Sequence, residues 1–430
     1  MTDIEARLAD LRDSDLFRRT RLVSGPQGPR VVLDGKPVLL LCSNNYLGLA
    51  DHPDVREAAA DAAMRWGVGS GSSRLVSGTM TIHRRLEERL TAFEHTETAL
   101  LFGSGYLANV GVISALAGAG EVVLSDELNH ASIVDGCRLA RAETKVYDHC
   151  DLEHLEQLLL ESDGRASVIV TDSVFSMDGD VAPLAGLVEL AQRHDCRLVV
   201  DEAHGTGCVG PGGRGAVAEA GLEGQVDVVV GTLGKALGSY GAYVACSASM
   251  AQFLTNSARS LIFSTAPPPP AVAGALAALE LLVEQPRHVE KLQHNADTLR
   301  DELAREGFEV AGSSTQIVPL IVGDAGLAMR ICEASLELGV FAQAIRPPTV
   351  PEGTSRLRLT VMASHSRDEL RDAARALGRA AFKCGFRPGA GVPIAEAQER
   401  AHVGRAGAFA PIFFDAEAAP VELPAIRRAA

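Results

Sequence analysis

The chain has 430 residues, 47% of them apolar and 22% charged, with a formal net charge of −15. Such a chain reads as globular with more than one domain, and an acidic balance without a basic stripe argues against nucleic acid as a partner. A membrane span is also excluded from expectation, because the longest apolar stretch, residues 271–283, is too short and carries Glu280.

Eight cysteines stand scattered with no C-x-x-C pair, which supports neither a zinc ribbon nor a redox motif. Several lie in apolar surroundings, as buried reduced thiols do, and this favours a reducing compartment. Residues 1–20 read as an amphipathic helix without the apolar core of a signal peptide. The expected location is therefore cytoplasmic. Residues 31–41 read as a hairpin-like pair around Asp34-Gly35.

From there the chain alternates strand and helix. "EVVLSDE" (121–127), "SVIVTDS" (167–173), "CRLVVDEAHG" (196–205) and "QVDVVVGT" (225–232) are short β-branched runs that end in polar residues or glycine, with helical stretches such as 184–194 between them. This is the pattern of βαβ units around a parallel sheet covered on both faces. Ligands bind such sheets at the carboxyl ends of the strands. "TAPPPPAV" (265–272) interrupts the alternation, because proline continues neither a helix nor a central strand. A long helix over 271–307, a strand over 315–324, a helix over 326–338 and a strand over 355–364 then read as a smaller α+β unit. The expected organisation is an N-terminal helix and hairpin segment (1–40), a large α/β domain (41–270), a small C-terminal α+β domain (271–387) and a tail (388–430). The tail is rich in Ala, Pro and Gly, and partial disorder is expected there.

Four polar clusters fall at strand ends. In "FGSGYLANVG" (102–111) glycines lead into a helix, whose free N–H groups suit a phosphate; a glycine-rich turn without a ligand explains it as well. In "LVVDEAHGTG" (198–207) Asp201 and His204 follow a buried strand, and Asp201 must be satisfied, either in a site or by capping a helix or pairing an arginine. In "LNHASIVDG" His130 stands where a helix begins, in a structural or a chemical role. In "VVVGTLGKALGSYG" (228–241) Lys235 stands just past an apolar strand among glycines. It is either a surface lysine or a desolvated one, whose lowered pKa would make it a nucleophile toward carbonyls. A phosphate cradle, a carboxylate, a histidine and a lysine converging on one sheet edge suit pyridoxal 5′-phosphate.

Longer strings carry a resemblance. "SNNYLGL", "GSGSSRLVSGT", "FGSGYLAN", "NHAS", "VFSMDGD", "VDEAHGTG", "TLGKALG", "FSTAPPP" and "RPPTVPEGTSRLRLT" occur in an order and spacing that resemble the α-oxoamine synthases, from about Arg18 to Gly378. The resemblance implies the fold type I of pyridoxal-phosphate transferases, an α/β fold with a large, mostly parallel-sheet domain and a smaller C-terminal α+β domain. It implies a homodimer with active sites at the subunit interface. "QIVPLIVGD" and "AIRPPTVPEGTSRLRLT" look most like the members that condense L-alanine with a pimeloyl thioester, on coenzyme A or an acyl carrier protein, in biotin biosynthesis. Members using glycine or serine, or another acyl chain, share the same catalytic residues. A non-catalytic binding protein of this fold is the remaining alternative.

The roles implied by the resemblance are these. Lys235 would form the Schiff base and shuttle the substrate α-proton. Asp201 would pair with the pyridinium nitrogen, His204 with the phenolic oxygen, and His130 would stack on the ring. Ser176 and Thr232 would complete the cofactor contacts, and Gly105 and Tyr106 would donate backbone N–H groups to the phosphate. Thr265 would reach the phosphate of the neighbouring subunit. Arg358 would grip the amino-acid carboxylate, and Arg18, Asn44, His130 and Thr349 would contact substrate. No metal is implied.

Overall fold

The computed structural model describes residues 3–310 and 312–387, so the expectation for the tail at 388–430 lies outside the described residues. At the N-terminus the helix runs only over Ile4–Asp13 and buries none of its residues. The expected helix over 1–20 is therefore too long: Ser14 caps it, and residues 16–22 leave the helix to run along the molecule. Strands β1 (Val23–Ser24), β2 (Arg30–Leu33) and β3 (Lys36–Leu40) follow, with β2 and β3 antiparallel around Asp34-Gly35 as the turn signal predicts.

The central sheet is built from β4 (Thr98–Phe102), β5 (Val122–Asp126), β6 (Glu143–Tyr147), β7 (Ala166–Asp172), β8 (Arg197–Asp201), β9 (Val228–Thr232) and β10 (Ala242–Cys246). Their spatial order is β4-β10-β9-β8-β7-β5-β6. β10 runs antiparallel to both neighbours, and β9, β8, β7, β5 and β6 are mutually parallel. Helices cover both faces, so the inner strands are apolar runs rather than alternating patterns. Val123, Leu124, Val168, Val170, Val199, Val228 and Val230 are fully buried, and each such side chain stabilises the fold by about 1.5–3 kcal/mol. The parallel arrangement brings the last residues of β5, β7, β8 and β9, namely Asp126, Asp172, Asp201 and Thr232, to one edge.

The remaining strands are β11 (Ile317–Gly323), β12 (Val340–Phe341), β13 (Gln343–Ile345) and β14 (Ser355–Thr360). β11, β14 and β13 form a small antiparallel sheet, whereas β12 adds in parallel to β3 and extends the N-terminal hairpin. Along β14, Leu357 and Leu359 face the apolar core, while Arg356 and Arg358 reach the loop after β7 through Asp178 and Ser176, and Thr360 donates to the Ser43 carbonyl just after β3. The long helix expected over 271–307 is two helices, Pro269–Glu284 and Arg287–Arg305. Pro286 breaks it, having no N–H to donate and forcing Gln285 out of the helical region (φ −131°, ψ 65°). Pro269 and Pro270 begin the first of these helices, where proline is tolerated. Among the described residues no helix is long and apolar enough to cross a membrane, and all eight cysteines are free.

Candidate active site

Asp201 ends β8 and is buried. Its Oδ1 accepts the Ala203 N–H at 2.8 Å and its Oδ2 accepts Asn109 Nδ2–H at 2.6 Å. Asn109 projects from the helix Gly105–Leu116 and also donates to Ser132 Oγ, 2.9 Å away. One strand over, Asp172 ends β7 and accepts the backbone N–H of His130 at 2.7 Å. Desolvation, reinforced by the charge of Asp201, pushes the Asp172 carboxyl well above its ordinary range. His130 caps the helix Ala131–Ala140, its Nδ1 lying 2.7 Å from Ser132 Oγ, and its ring is exposed.

Lys235 lies in the connection between β9 and β10, residues 233–241. Its Nζ is 2.8 Å from His204 Nε2. Burial lowers its pKa to about 8, against the pull of Asp201 and Asp172 in the other direction. His204 lies well below its ordinary value, first through burial and then through Lys235, Arg358 and His130, so the ring is neutral. On its far side, His204 Nδ1 is 2.7 Å from the hydroxyl of Tyr46. Its carbonyl accepts Gln316 Nε2–H at 2.9 Å, which ties the loop to the small sheet. Arg358, buried on β14, donates to Tyr46 Oη and to Asn44 Oδ1, each at 3.2 Å, and through Nε to the Ser176 carbonyl.

Two of the glycines near Lys235, Gly238 and Gly241, are required by the backbone. Gly238 has φ +60° and packs directly on the main chain of Leu49 and Ala50, where no side chain fits. Gly241 has φ +117°, and its carbonyl accepts from Leu233 N–H and Thr232 Oγ1–H. Between them, Ser239 Oγ donates to the Ala271 carbonyl at 2.6 Å and anchors the loop to the first helix after the prolines.

The structure thus gathers Lys235, His204, Asp201, His130, Asn44 and Arg358 at one edge, with Ser176 present through its carbonyl. Thr232 stands beside them, its hydroxyl also accepting the Gly234 N–H at 3.2 Å. Gly105 and Tyr106 open their helix, so its own ladder leaves their amides unused. A Cβ at Gly105 would meet nothing within 4 Å, and the Tyr106 side chain turns away to Asp135, 2.5 Å from its hydroxyl. Thr265 is exposed and bridges Ser73 in an isolated antiparallel pair, without a hydrogen bond to the cluster among the described residues. Arg18 and Thr349 both bond to the turn after β13, without a hydrogen bond to the cluster among the described residues: Arg18 donates to the Pro347 carbonyl at 3.2 Å, and exposed Thr349 donates its N–H to the Arg346 carbonyl at 3.1 Å.

Four contributors escape sequence reading: Tyr46, Asn109, Asp172 and Gln316. Asp172 carried a signal, since it ends the apolar run "SVIVTD" just as Asp201 ends "RLVVD". Asn109 carried a fainter one, as an amide inside an otherwise apolar helix. Chemically, the cluster offers an amine of lowered basicity, a buried carboxylate, an exposed imidazole and unused helix amides beside open space. That donor set suits a phosphate-bearing carbonyl compound.

Residues 36–377 match the model of the aminotransferase class I and II family. The chain belongs to that family. Within it, the chain is an α-oxoamine synthase of fold type I, as the long strings imply. It is 52% identical to the 8-amino-7-oxononanoate synthase of Citrifermentans bemidjiense, over 90% of this chain and 100% of that one. It is 53% identical to that of Geobacter sulfurreducens, over 89% and 99%. Among solved structures, a serine palmitoyltransferase from S. paucimobilis with bound PLP superposes with a TM-score of 0.85 at 34% identity, covering 89% of this chain and 97% of that one. An 8-amino-7-oxononanoate synthase from Francisella tularensis superposes with a TM-score of 0.70 at 26% identity, covering 80% and 98%.

Proposed function

We propose that the protein condenses L-alanine with a pimeloyl thioester to 8-amino-7-oxononanoate, releasing CO2 and the free thiol, in biotin biosynthesis. The observation that carries this reading is the identity of 52–53%, sustained over almost the whole length of relatives bearing that enzyme's name. The geometry agrees with the cofactor such a reaction needs. The open side of Gly105, the carboxylate of Asp201 and the depressed amine of Lys235 suit the phosphate, the ring nitrogen and the carbonyl carbon of pyridoxal 5′-phosphate. When bound, this cofactor supplies an electron sink for the charge left on the amino acid's α-carbon.

In this reading Lys235 holds the cofactor through Nζ, Gly105 and Tyr106 bind its phosphate by backbone N–H groups, and His204 bonds its phenolic oxygen. His130 lies over the ring, and Ser176 and Thr232 complete the contacts. Arg358 grips the alanine carboxylate with a guanidinium already oriented by Tyr46, Asn44 and the Ser176 carbonyl. Lys235 Nζ takes and returns the α-proton, a task suited to an amine whose pKa of about 8 lies near the working pH. Arg18 and Thr349, bonded to the turn after β13, contact substrate where the acyl thioester approaches, whether its thiol is coenzyme A or a carrier protein.

The protein acts as a homodimer, with Thr265 of the partner subunit reaching the phosphate. Met64, Val68, Val76 and Phe263 are each at least 71% exposed, and Ser73 and Thr265 pair between the segments that carry them. Large apolar side chains grouped in this way mark an interface. Sedimentation at micromolar concentration tests this; a monomer would refute it. The domain division at 41–270 and 271–387 is retained, with the N-terminal hairpin attached to the small unit through β12. The cytoplasm is the compartment that the eight free thiols suit.

A second reading, serine with a longer acyl chain, draws on the superposition with serine palmitoyltransferase. One assay separates the two. Purified protein is offered alanine, glycine or serine against acetyl to palmitoyl thioesters, with mass detection of the aminoketone. Alanine with pimeloyl should win; a strong preference for glycine with acetyl, or serine with palmitoyl, overturns the proposal.

A further inference from the structure

The strings "GSGSSRLVSGT" (69–79) and "FSTAPPP" (263–269), distant in the chain, lie against each other. Ser73 and Thr265 pair in an isolated antiparallel bridge, and the Ala266 N–H donates to the Ser72 carbonyl at 3.0 Å. One residue on, the Pro267 carbonyl accepts from two buried side chains, Ser70 Oγ–H at 2.7 Å and His83 Nε2–H at 2.9 Å. His83 stands in the first turn of the helix Thr81–Glu94, and its Nδ1 accepts the Met80 N–H at 3.1 Å. A backbone N–H only donates and a carbonyl only accepts, so these two contacts define one neutral tautomer, with the proton on Nε2. Burial lowers the pKa of His83 against the pull of the Pro267 carbonyl, so the ring stays neutral.

Ala266 and Pro267 are buried, whereas Thr265 is exposed. The segment is thus clamped at one end and presents a hydroxyl at the other. A hydroxyl held in advance binds more tightly than one ordered on binding, because its conformational entropy is already spent. Thr265 has no hydrogen bond to the cluster of its own subunit among the described residues, and in the functional reading it serves the partner's. We infer that His83 is a positioning residue for the cofactor site of the partner subunit: by fixing Pro267 it sets Thr265 against that site's phosphate. This inference rests on the reading of Thr265. A route within the subunit also exists, since Ser239 Oγ, in the loop of Lys235, holds the Ala271 carbonyl four residues past Pro267. That route predicts an effect of His83 on its own subunit's site, so the two are separable by asking which subunit feels the change.

Two full-length chains with different tags are co-expressed, mixed dimers are isolated on both tags and stripped of cofactor, and pyridoxal phosphate is titrated back. Attachment at Lys235 is trapped by borohydride and read by mass. Lys235→Ala in one chain leaves a single live site per dimer. In the first pair the live chain carries His83→Leu and the Lys235→Ala chain keeps His83; half-saturation should match that of a pair with His83 in both chains. In the second pair the live chain is wild type and its partner carries Lys235→Ala with His83→Leu; the half-saturating concentration should rise about tenfold, the size of one hydrogen bond to a charged group. His83→Gln in place of His83→Leu keeps an N–H for Pro267 and should restore it to within about twofold. If His83→Leu melts early, Ser70→Ala removes the other donor to the same carbonyl and should give the same pattern with a smaller rise. Weak binding in the first pair with normal binding in the second assigns His83 to its own subunit and overturns the inference, as do equal values in both. Thr265→Ala in place of His83→Leu in the second pair tests the functional reading by itself: normal saturation there overturns the role of Thr265, and the His83 pairs still judge which site His83 serves.

Discussion

Replacing Gly238 by alanine puts a methyl group where the fold has no room for one. A Cβ at Gly238 would lie 2.4 Å from Ala50 N and 2.7 Å from the carbonyl carbon of Leu49. Both atoms belong to the backbone of the 3-10 turn Leu49–Asp51, so no side-chain rotation relieves the clash. The φ of +60° adds a second penalty. A β-carbon in the left-handed region costs about 1–2 kcal/mol, and overpacking a filled site about 1–3 kcal/mol, which together make about 2–5 kcal/mol. Gly234, on the other side of Lys235, is the control: its nearest neighbour is 3.6 Å away and its φ is outside the left-handed region. Gly234→Ala should stay within about 0.5 kcal/mol of wild type. Urea unfolding of both variants, followed by circular dichroism with and without cofactor, gives the two values. Gly238→Ala should also bind cofactor more weakly, because the displaced turn begins three residues after Tyr46. If both variants unfold at the same urea concentration, the steric reasoning is wrong.

Other outcomes follow from the same geometry. Lys235→Ala should abolish covalent attachment of pyridoxal phosphate, read by mass after borohydride reduction, and lower turnover by at least about 10²–10⁴; an attached cofactor in that variant would assign the bond to another amine. Asp201→Asn should keep the cofactor but lower turnover by about 10²–10³, since the electrostatic partner of the ring nitrogen is gone; full activity would contradict that role. His149 is held between Asp126 at 2.9 Å and Asp180 at 2.7 Å; burial lowers its pKa, but these two carboxylates prevail and raise it to about 12. Its contribution to stability is therefore complete below its ordinary value of 6.5, erodes as pH rises above that, and is gone once pH passes about 12. His149→Gln should destabilise the protein by about 3–5 kcal/mol at low pH, with a gap from wild type that narrows as pH rises; a gap constant from about pH 6 to 9 would show that the ring is not held charged.

What could be read from the chain is what local sequence determines. Asp201, His204 and Lys235 each follow an apolar run, and the parallel sheet alone brings their strand ends together. Tyr46 could not be read this way, because its partners are 158 and 312 residues away and its own segment, "SNNYLGL", has no periodicity to orient it. The pairing of β12 with β3 spans about 300 residues and involves two residues on the later strand, too few to carry a pattern. The single helix expected over 271–307 failed for a different reason. Its helical period runs through Pro286, but the backbone there cannot follow it.

The hairpin that carries Lys235 joins two strands interior to the sheet, and the ladder pairs Ala242 with Thr232 at its mouth. Loop length is therefore constrained from both ends. An inserted residue would either slip β10, exchanging its two faces against β4 and β9 together, or swell a loop already pressed against Leu49 and Ala50. Substitutions within residues 233–241 can retune the lysine's surroundings, but insertions and deletions should be close to forbidden. A mutational library built on this protein would lose its length variants here first, whatever chemistry it was selected for.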